Sequence, residues 1–368
     1  MSIASDGSGP RRVDILVAGA GPAGSVAALE LARAGLSVLV ADRLGPAPSK
    51  IGETLPGAAI RLLHRLELGS IAQTNDVTGH CHVGGTLTAW DSATMIASDA
   101  MADPYGAGIR LDRARFDAAL RQASLDGGAA SHSANISTLE RAREGWTVGL
   151  DDGRQITASW LVDATGRRGK LARLIGTRRR RHRALVAVYR YGRPTFNAAL
   201  DRTIIEARPN GWFYAGQLGD GRWAFGFHTS PEEAALLRRD PARWDAILRE
   251  APGLTALLGE PRFDPGLVFR DARDGGLASP VGEGWVACGD SALSFDPIAG
   301  QGLFNALRSG MAAARYVVAA IAGESGSGYA AELAQVASVY TERRRALYDA
   351  QRRWPDAPFW RFQRDEPL

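Results

Sequence analysis

The stretch VDILVAGAGPAGSVAALELARAGLSVLVADR fills residues 13–43, and its reading decides the fold. Residues 13–18 are apolar and short enough for one strand. Residues 19–24, GAGPAG, turn the chain. Residues 22–34 are small and apolar, as in a buried helix, and Gly35 stops it. Residues 37–41 make a second strand that ends in Asp42. This is a βαβ opening. Gly19, Gly21 and Gly24 form G-x-G-x-x-G where strand hands over to helix. The first glycine permits the turn, the second lets backbone approach a pyrophosphate, and the third lets helix and strand pack closely. Pro22 and Ala23 start the helix, whose N-terminus faces the phosphates. Asp42 lies at about the 20-residue distance expected of an acid that bonds ribose hydroxyls, and Arg43 beside it is placed to stack on adenine. A purely structural glycine turn would not require the strand, helix and terminal acid together.

Two later stretches separate FAD from NAD. Residues 161–166, LVDATG, read as a strand and turn returning to the same sheet. Residues 285–288 are a further strand, followed by GDSALSFDPIAGQGLFNAL at 289–307. A fold that binds NAD has no need of this last pair, whereas FAD is longer and has a ring to seat. Asp290, just past its strand, is placed for the ribityl or pyrophosphate end. A helix starting near Gly300 would aim its N–H groups at the pyrimidine edge of the flavin. Gly300, Gln301 and Gly302 bring backbone close, and Pro297 stiffens the approach.

The remaining chain fills out this frame. Residues 111–123 read as a helix and 131–163 as short strands with a turn at 151–154. Residues 183–229 are strand-rich, with a hairpin turning at Gly219-Asp220-Gly221. Two short helices are expected at 231–250 and 253–259, a helix to about residue 322, a linker at 323–328 and a last helix at 329–353. The expected fold is α/β: a Rossmann-type FAD-binding domain with an inserted β-rich substrate domain. The first takes residues 1–75, 103–180 and 270–325. The second takes 76–102 and 181–269. Residues 326–368 add a C-terminal helix and aromatic tail. No disorder is expected beyond the first ten residues or so.

Composition excludes several classes. The 368 residues are 45% hydrophobic and 23% charged, and the net charge of +4 is too small to argue for nucleic acid. No apolar run reaches membrane-spanning length, and Arg11-Arg12 precede a strand that carries the nucleotide motif, so they are no cleaved signal. Cys81 and Cys288 set up neither a disulfide framework nor a metal site. A cytoplasmic protein is expected. Only two of the 44 basic residues are lysines, Lys50 and Lys170.

GAGPAG, LDRARFDAAL (111–120), VDATG (162–166) and GDSALSFDPIAGQG (289–302) stand in the order of a known family. The chain resembles the flavin-dependent aromatic hydroxylases of the p-hydroxybenzoate hydroxylase fold and their halogenase and geranylgeranyl-reductase relatives. The resemblance implies that Arg113 contacts FAD, that Asp163 and Gly166 form a second cofactor fingerprint, and that Asp290 lies on the cofactor. Residues 51–68, IGETLPGAAIRLLHRLEL, resemble a segment of the tryptophan-halogenase branch that lies near the flavin, with Glu53 in it. Halogenation in that branch relies on a lysine soon afterwards, and none occurs between Lys50 and Lys170. A glutamate followed by Ser-Thr-Gly is replaced by Ala299 and Gly300-Gln301-Gly302, and GWFYAGQL (211–218) stands where Trp-x-Trp-x-Ile-Pro would.

GETLPGAA (52–59), GGTLTAWDS (84–92) and RRWPDAPFWRF (352–362) look most like flavoproteins that hydroxylate a tryptophan of a precursor protein during maturation of a cysteine-tryptophylquinone cofactor. The resemblance implies a monooxygenase that attacks an aromatic substrate through a flavin C4a-hydroperoxide, with a precursor protein and a flavin reductase as partners. A small-molecule hydroxylase, a halogenase, a prenyl-type double-bond reductase or an oxidase, and a non-catalytic FAD-containing chaperone are the alternatives. The segments 77–90 and 212–227 are expected to wall the substrate pocket, with two or three of Trp90, Trp212, Tyr214 and Trp223 facing it.

Glu53, His80 and His82 are the candidate catalytic groups, with His228 a further polar candidate. His80 and His82, two apart, would share one face of a strand. Glu53 could equally brace the helix after it. The basic run Arg178–Arg181 is either a solvated loop or a docking patch. The aromatic tail is expected to pack on its own domain.

Overall fold

A computed structural model describes residues 11–43, 50–196, 200–324 and 328–364. The expected N-terminal tract and the centre of the 323–328 linker lie outside these residues.

The first strand, Arg11–Ala18, is central. It pairs in parallel with Val38–Ala41 on one side and Gln155–Asp163 on the other. Ala130–His132 extends the sheet beyond the second strand, and Trp285–Ala287 extends it beyond Gln155–Asp163. Both faces of these strands are covered, as a parallel sheet requires. Ile15, Val17, Val38 and Val40 face the helices Pro22–Arg33 and Gly302–Ile321. Leu16, Ala18, Leu39 and Ala41 face the strands Ile136–Ala142 and Gly145–Leu150. The two helices approach closely because residue 310 is glycine: a Cβ there would stand 2.3 Å from the Ala23 carbonyl oxygen.

A second large sheet holds Val186–Arg193, Trp223–Thr229, Gly211–Gln217, Arg202–Arg208, Gly85–Ala89 and Ile96–Asp99 in that spatial order. The expected hairpin is present, with Tyr214 opposite Gly226 and Trp212 opposite His228. One face carries Val188, Phe213, Phe225 and Phe227 against three short helices, Pro231–Arg239, Arg243–Arg249 and Pro252–Leu258. Two had been expected; Pro241 and Pro252 divide the segment into three. The other face carries Ala187, Tyr189, Trp212, Tyr214 and His228 toward the first sheet.

Helix Gly328–Ala350 packs Tyr329 on the first sheet and Tyr348 on the second, where the short helix Pro358–Arg364 also lies. The tail does not pack only on the FAD-binding side. Trp360 is fully buried on the second sheet, its indole donating to the Arg208 carbonyl at 2.7 Å. Trp90 meets Trp360 edge-on and lies beneath the tail, not in a substrate pocket. Trp223 belongs to the helix-covered core. Val77 is exposed, and no residue of 77–90 lines the central cavity.

Candidate active site

A cavity of about 470 Å³ runs between the two sheets, a size typical of ligand sites. Gly21, Pro22 and Ala23 line one end, and Pro297 with Gly300, Gln301 and Gly302 line its flank. Both adjoining helices begin without a side-chain cap, at Gly21 and at Gln301. Their first N–H groups therefore have no side-chain acceptor in the chain and suit an anionic or carbonyl-bearing ligand. A Cβ at Gly21, Gly166, Gly300 or Gly302 would meet nothing within 4 Å. These positions face space for a ligand, whereas at Gly24 a Cβ would fall 1.9 Å from the Gly19 carbonyl oxygen. The third glycine thus serves packing and the second an approach.

Other expected cofactor residues are placed differently. The Asp42 carboxylate accepts from the Ala20 N–H at 2.7 Å, bracing the glycine turn. Arg43 is exposed and pairs with Asp151 at 3.4 Å. Asp163, expected at the cofactor, is wholly buried, outside the cavity lining. Its oxygens accept from Thr165 and from the Ala172 N–H, so it anchors the turn before Gly166. Asp290 does line the cavity and is paired with Arg167 at 3.1 Å. Arg113 lines it too, but donates to the Ile51 and Gly52 carbonyls and to Asp117, fixing the loop that carries Glu53. In the basic run, Arg179 is half-buried and holds the Asp290 and Ser291 carbonyls.

Glu53 lies at the junction of this cavity with a second one of about 660 Å³. It caps no helix; Pro56 stands at that position. Glu53 is only 4% exposed. Burial raises its pKa, against opposing pulls from the Gly52 N–H and the Arg110 and Arg113 charges. In the unfolded chain it ionises near 4.5; in the fold it holds its proton to higher pH. The fold therefore keeps Glu53's full contribution below that value and loses it as pH rises through the raised one. Glu53→Gln should flatten this part of a plot of urea midpoint against pH.

The two histidines lie together on the second cavity, but not as one strand face. The strand covers only Cys81–His82 and belongs to a small separate sheet. His80 is buried, with Nε2 against the Ile71 carbonyl at 3.2 Å and Nδ1 accepting from the Asp112 N–H at 3.0 Å. Both nitrogens are engaged with backbone. His82 is exposed and bonded to Thr74. Each lines the second cavity rather than the cofactor cradle.

The site's other side is aromatic. Tyr189, Trp212, Tyr214 and His228 line the cavity from the second sheet. Gly226 makes room for Tyr189: a Cβ there would stand 2.6 Å from its ring. The Trp212 indole donates to the Tyr348 hydroxyl at 3.3 Å, and that hydroxyl donates to Asp296 at 2.8 Å. Asp296 is buried in the cradle loop and also takes Arg344 at 3.2 Å. Tyr340, Arg344 and Tyr348 were not legible as site residues. Their four-residue spacing puts them on one helix face, but only the tertiary fold shows what that face holds.

The cradle, with two uncapped helix ends and four glycines facing ligand space, fits a flavin dinucleotide and defines an α/β flavoprotein of the p-hydroxybenzoate hydroxylase and halogenase fold. The chain belongs to the FAD binding domain family FAD_binding_3, whose model matches residues 12–343. It is an FAD-dependent oxidoreductase by this membership and by its relatives. It is 27% identical over 355 residues to a protein of Marinomonas mediterranea provisionally named as the FAD-dependent oxidoreductase LodB, covering 94% of this chain and 95% of that one. It is 29% identical over 321 residues to a menaquinone reductase of Mycolicibacterium smegmatis, covering 82% and 76%. Its fold matches the solved structure of the peptidyl tryptophan dihydroxylase QhpG, with a TM-score of 0.77 and 23% identity, covering 97% of this chain and 79% of that one. Among the described residues, no helix is long and apolar enough to cross a membrane.

Proposed function

We propose that this protein is an FAD-dependent monooxygenase that hydroxylates an aromatic ring, and that the ring is a tryptophan side chain of a precursor protein maturing a quinone cofactor. The observation that carries the reading is the continuity of the cofactor cradle with a chamber walled by Tyr189, Trp212 and Tyr214. The likeness to LodB along nearly its whole length supports the FAD-dependent oxidoreductase part of this reading, and the likeness to the peptidyl tryptophan dihydroxylase QhpG supports the tryptophan part.

When bound, FAD supplies the redox chemistry and the activation of dioxygen. The chain's own residues bind, orient and keep dry. The uncapped ends at Gly21 and Gln301 hold the polar parts of the cofactor, and Asp290, fixed by Arg167, stands beside them. Buried Tyr189 and Trp212 exclude water and give the cavity an aromatic wall. Glu53, buried at the cavity wall, holds its proton to higher pH than a free carboxyl and accepts from the Gly52 N–H and the Tyr191 hydroxyl. The Lys50 ammonium is committed to Asp117 at 2.6 Å, which leaves it poorly suited to the lysine role of a halogenase.

The test is mass spectrometry after turnover under isotopically labelled dioxygen with a tryptophan-containing precursor. One labelled oxygen or more on the indole is expected. The menaquinone reductase likeness favours a second reading, quinone or double-bond reduction. Reduced quinone with no labelled product would replace the first reading by this one. Incorporation of added bromide would reinstate halogenation.

A further inference from the structure

His228 is the unexplained group of the cavity. Its side chain is fully buried, and neither ring nitrogen has a hydrogen-bond partner in the structure. The Trp212 backbone lies close enough to raise its basicity slightly, but not in hydrogen-bonding geometry. Burial outweighs this and holds its pKa down to about 3, so the ring is neutral at ordinary pH. A neutral imidazole has one donor and one acceptor, and leaving both unmade in a core is costly. A histidine serving only as packing is usually bonded to backbone, as His80 is.

Its orientation is fixed. The ring stacks flat on Trp212, with centroids 3.7 Å apart and planes 7° apart. Tyr189 meets it edge-on at 5.7 Å. Trp212 is in turn anchored through Tyr348 to Asp296 of the cofactor loop. A buried, unpartnered imidazole is thus held on the wall of the cavity that contains the cradle, its plane tied to the loop that shapes the cradle.

Resting on the aromatic-hydroxylase reading above, we infer that His228 is the specificity-determining acceptor that receives the N–H of the substrate indole and so sets which edge of the ring is presented to the cofactor. The substrate supplies the partner that the fold withholds. A site with a buried acceptor rejects a ligand that cannot donate more strongly than an apolar pocket rejects one extra methyl group.

The experiment measures binding without turnover. Oxidised, FAD-loaded protein is titrated with indole and with 1-methylindole, following the visible absorbance of the flavin and, independently, heat. Indole should bind at least ~10-fold more tightly than 1-methylindole, the size expected for one buried hydrogen bond. In His228→Phe, which keeps a stacking ring, the preference should vanish through loss of indole affinity. His228→Asn, which retains a polar acceptor, should keep part of it and serves also if the phenylalanine variant does not fold. Equal binding of the two probes by the parent protein, with a water as the only partner of His228, would overturn the inference alone. So would an undiminished preference in both variants. If the parent protein binds neither indole, 1-methylindole nor phenol, the aromatic-substrate reading falls and takes this inference with it.

Discussion

Gly21→Val yields protein that folds normally and purifies colourless, where the parent chain is yellow. The expectation rests on a contrast between neighbouring glycines. Gly21 has φ −76°, open to any residue, and a Cβ there meets no atom of the chain within 4 Å. The added isopropyl group therefore projects toward the space assigned to the cofactor. Apoprotein stability should stay within about 1 kcal/mol of the parent apoprotein, since no chain contact changes. Flavin retention, read as the ratio of visible to ultraviolet absorbance, should fall by more than tenfold. Gly24→Val is the counterpart. Its Cβ would stand 1.9 Å from the Gly19 carbonyl oxygen and 3.0 Å from the Ala164 Cβ, both fixed by the sheet. Helix and strand must separate, so both folding and flavin are lost, with destabilisation of at least ~1–3 kcal/mol from overpacking. If Gly21→Val kept its colour, the cofactor would not run past the first helix as proposed.

Arg344→Met should be the most damaging change outside the cradle, costing about 3–5 kcal/mol, the range for leaving one member of a buried ion pair without its partner. Arg344 and Asp296 are 8% and 2% exposed in their side chains and 3.2 Å apart. Asp274 stands 3.9 Å from the same guanidinium. Arg344 also donates to the Gln363 carbonyl and side chain, which secures the tail. Removing it leaves buried Asp296 without its cation beside Asp274, whose other ion-pair partner is His182 at 3.3 Å, and protonation of Asp296 relieves the repulsion. The variant should unfold at lower urea, release FAD more readily, and lose less stability at acid pH than at neutral pH. Tyr348→Phe removes only one hydroxyl between Trp212 and Asp296 and should cost about 1 kcal/mol. Equal effects of the two substitutions would show that the ion pair is not what holds the loop.

Much of the cradle was legible because its chemistry leaves marks in sequence. Close backbone approaches select glycine at 19, 21 and 24, and an apolar strand between turns is readable wherever both its faces are covered. The limits have the same physical origin. Every residue of Trp223–Thr229 is buried, so no alternation of polar and apolar residues reveals which face looks into the cavity. His228 consequently resembles any core histidine until the absence of partners is seen. His80 and His82 do line one cavity, the second, but strand alternation does not bring them there, because the strand begins at Cys81. Asp163 read as a cofactor ligand from its motif, yet its place at the strand end lets it satisfy the turn that follows. The residues around Asp296 come from a helix some fifty positions later, and local pattern carries no record of so distant a contact.

The helices that lock Asp296 and cover Trp212 lie after every element they hold. On the ribosome the glycine turn, both sheets and the loop around Asp296 emerge before Tyr340, Arg344, Tyr348 and Trp360 are available. Until then the loop lacks its cation, and the second sheet lacks the rings that roof one of its faces. Flavin acquisition should therefore wait until residues 340–360 have emerged, and a chain stalled before residue 340 should bind the cofactor only loosely, however complete its glycine motif.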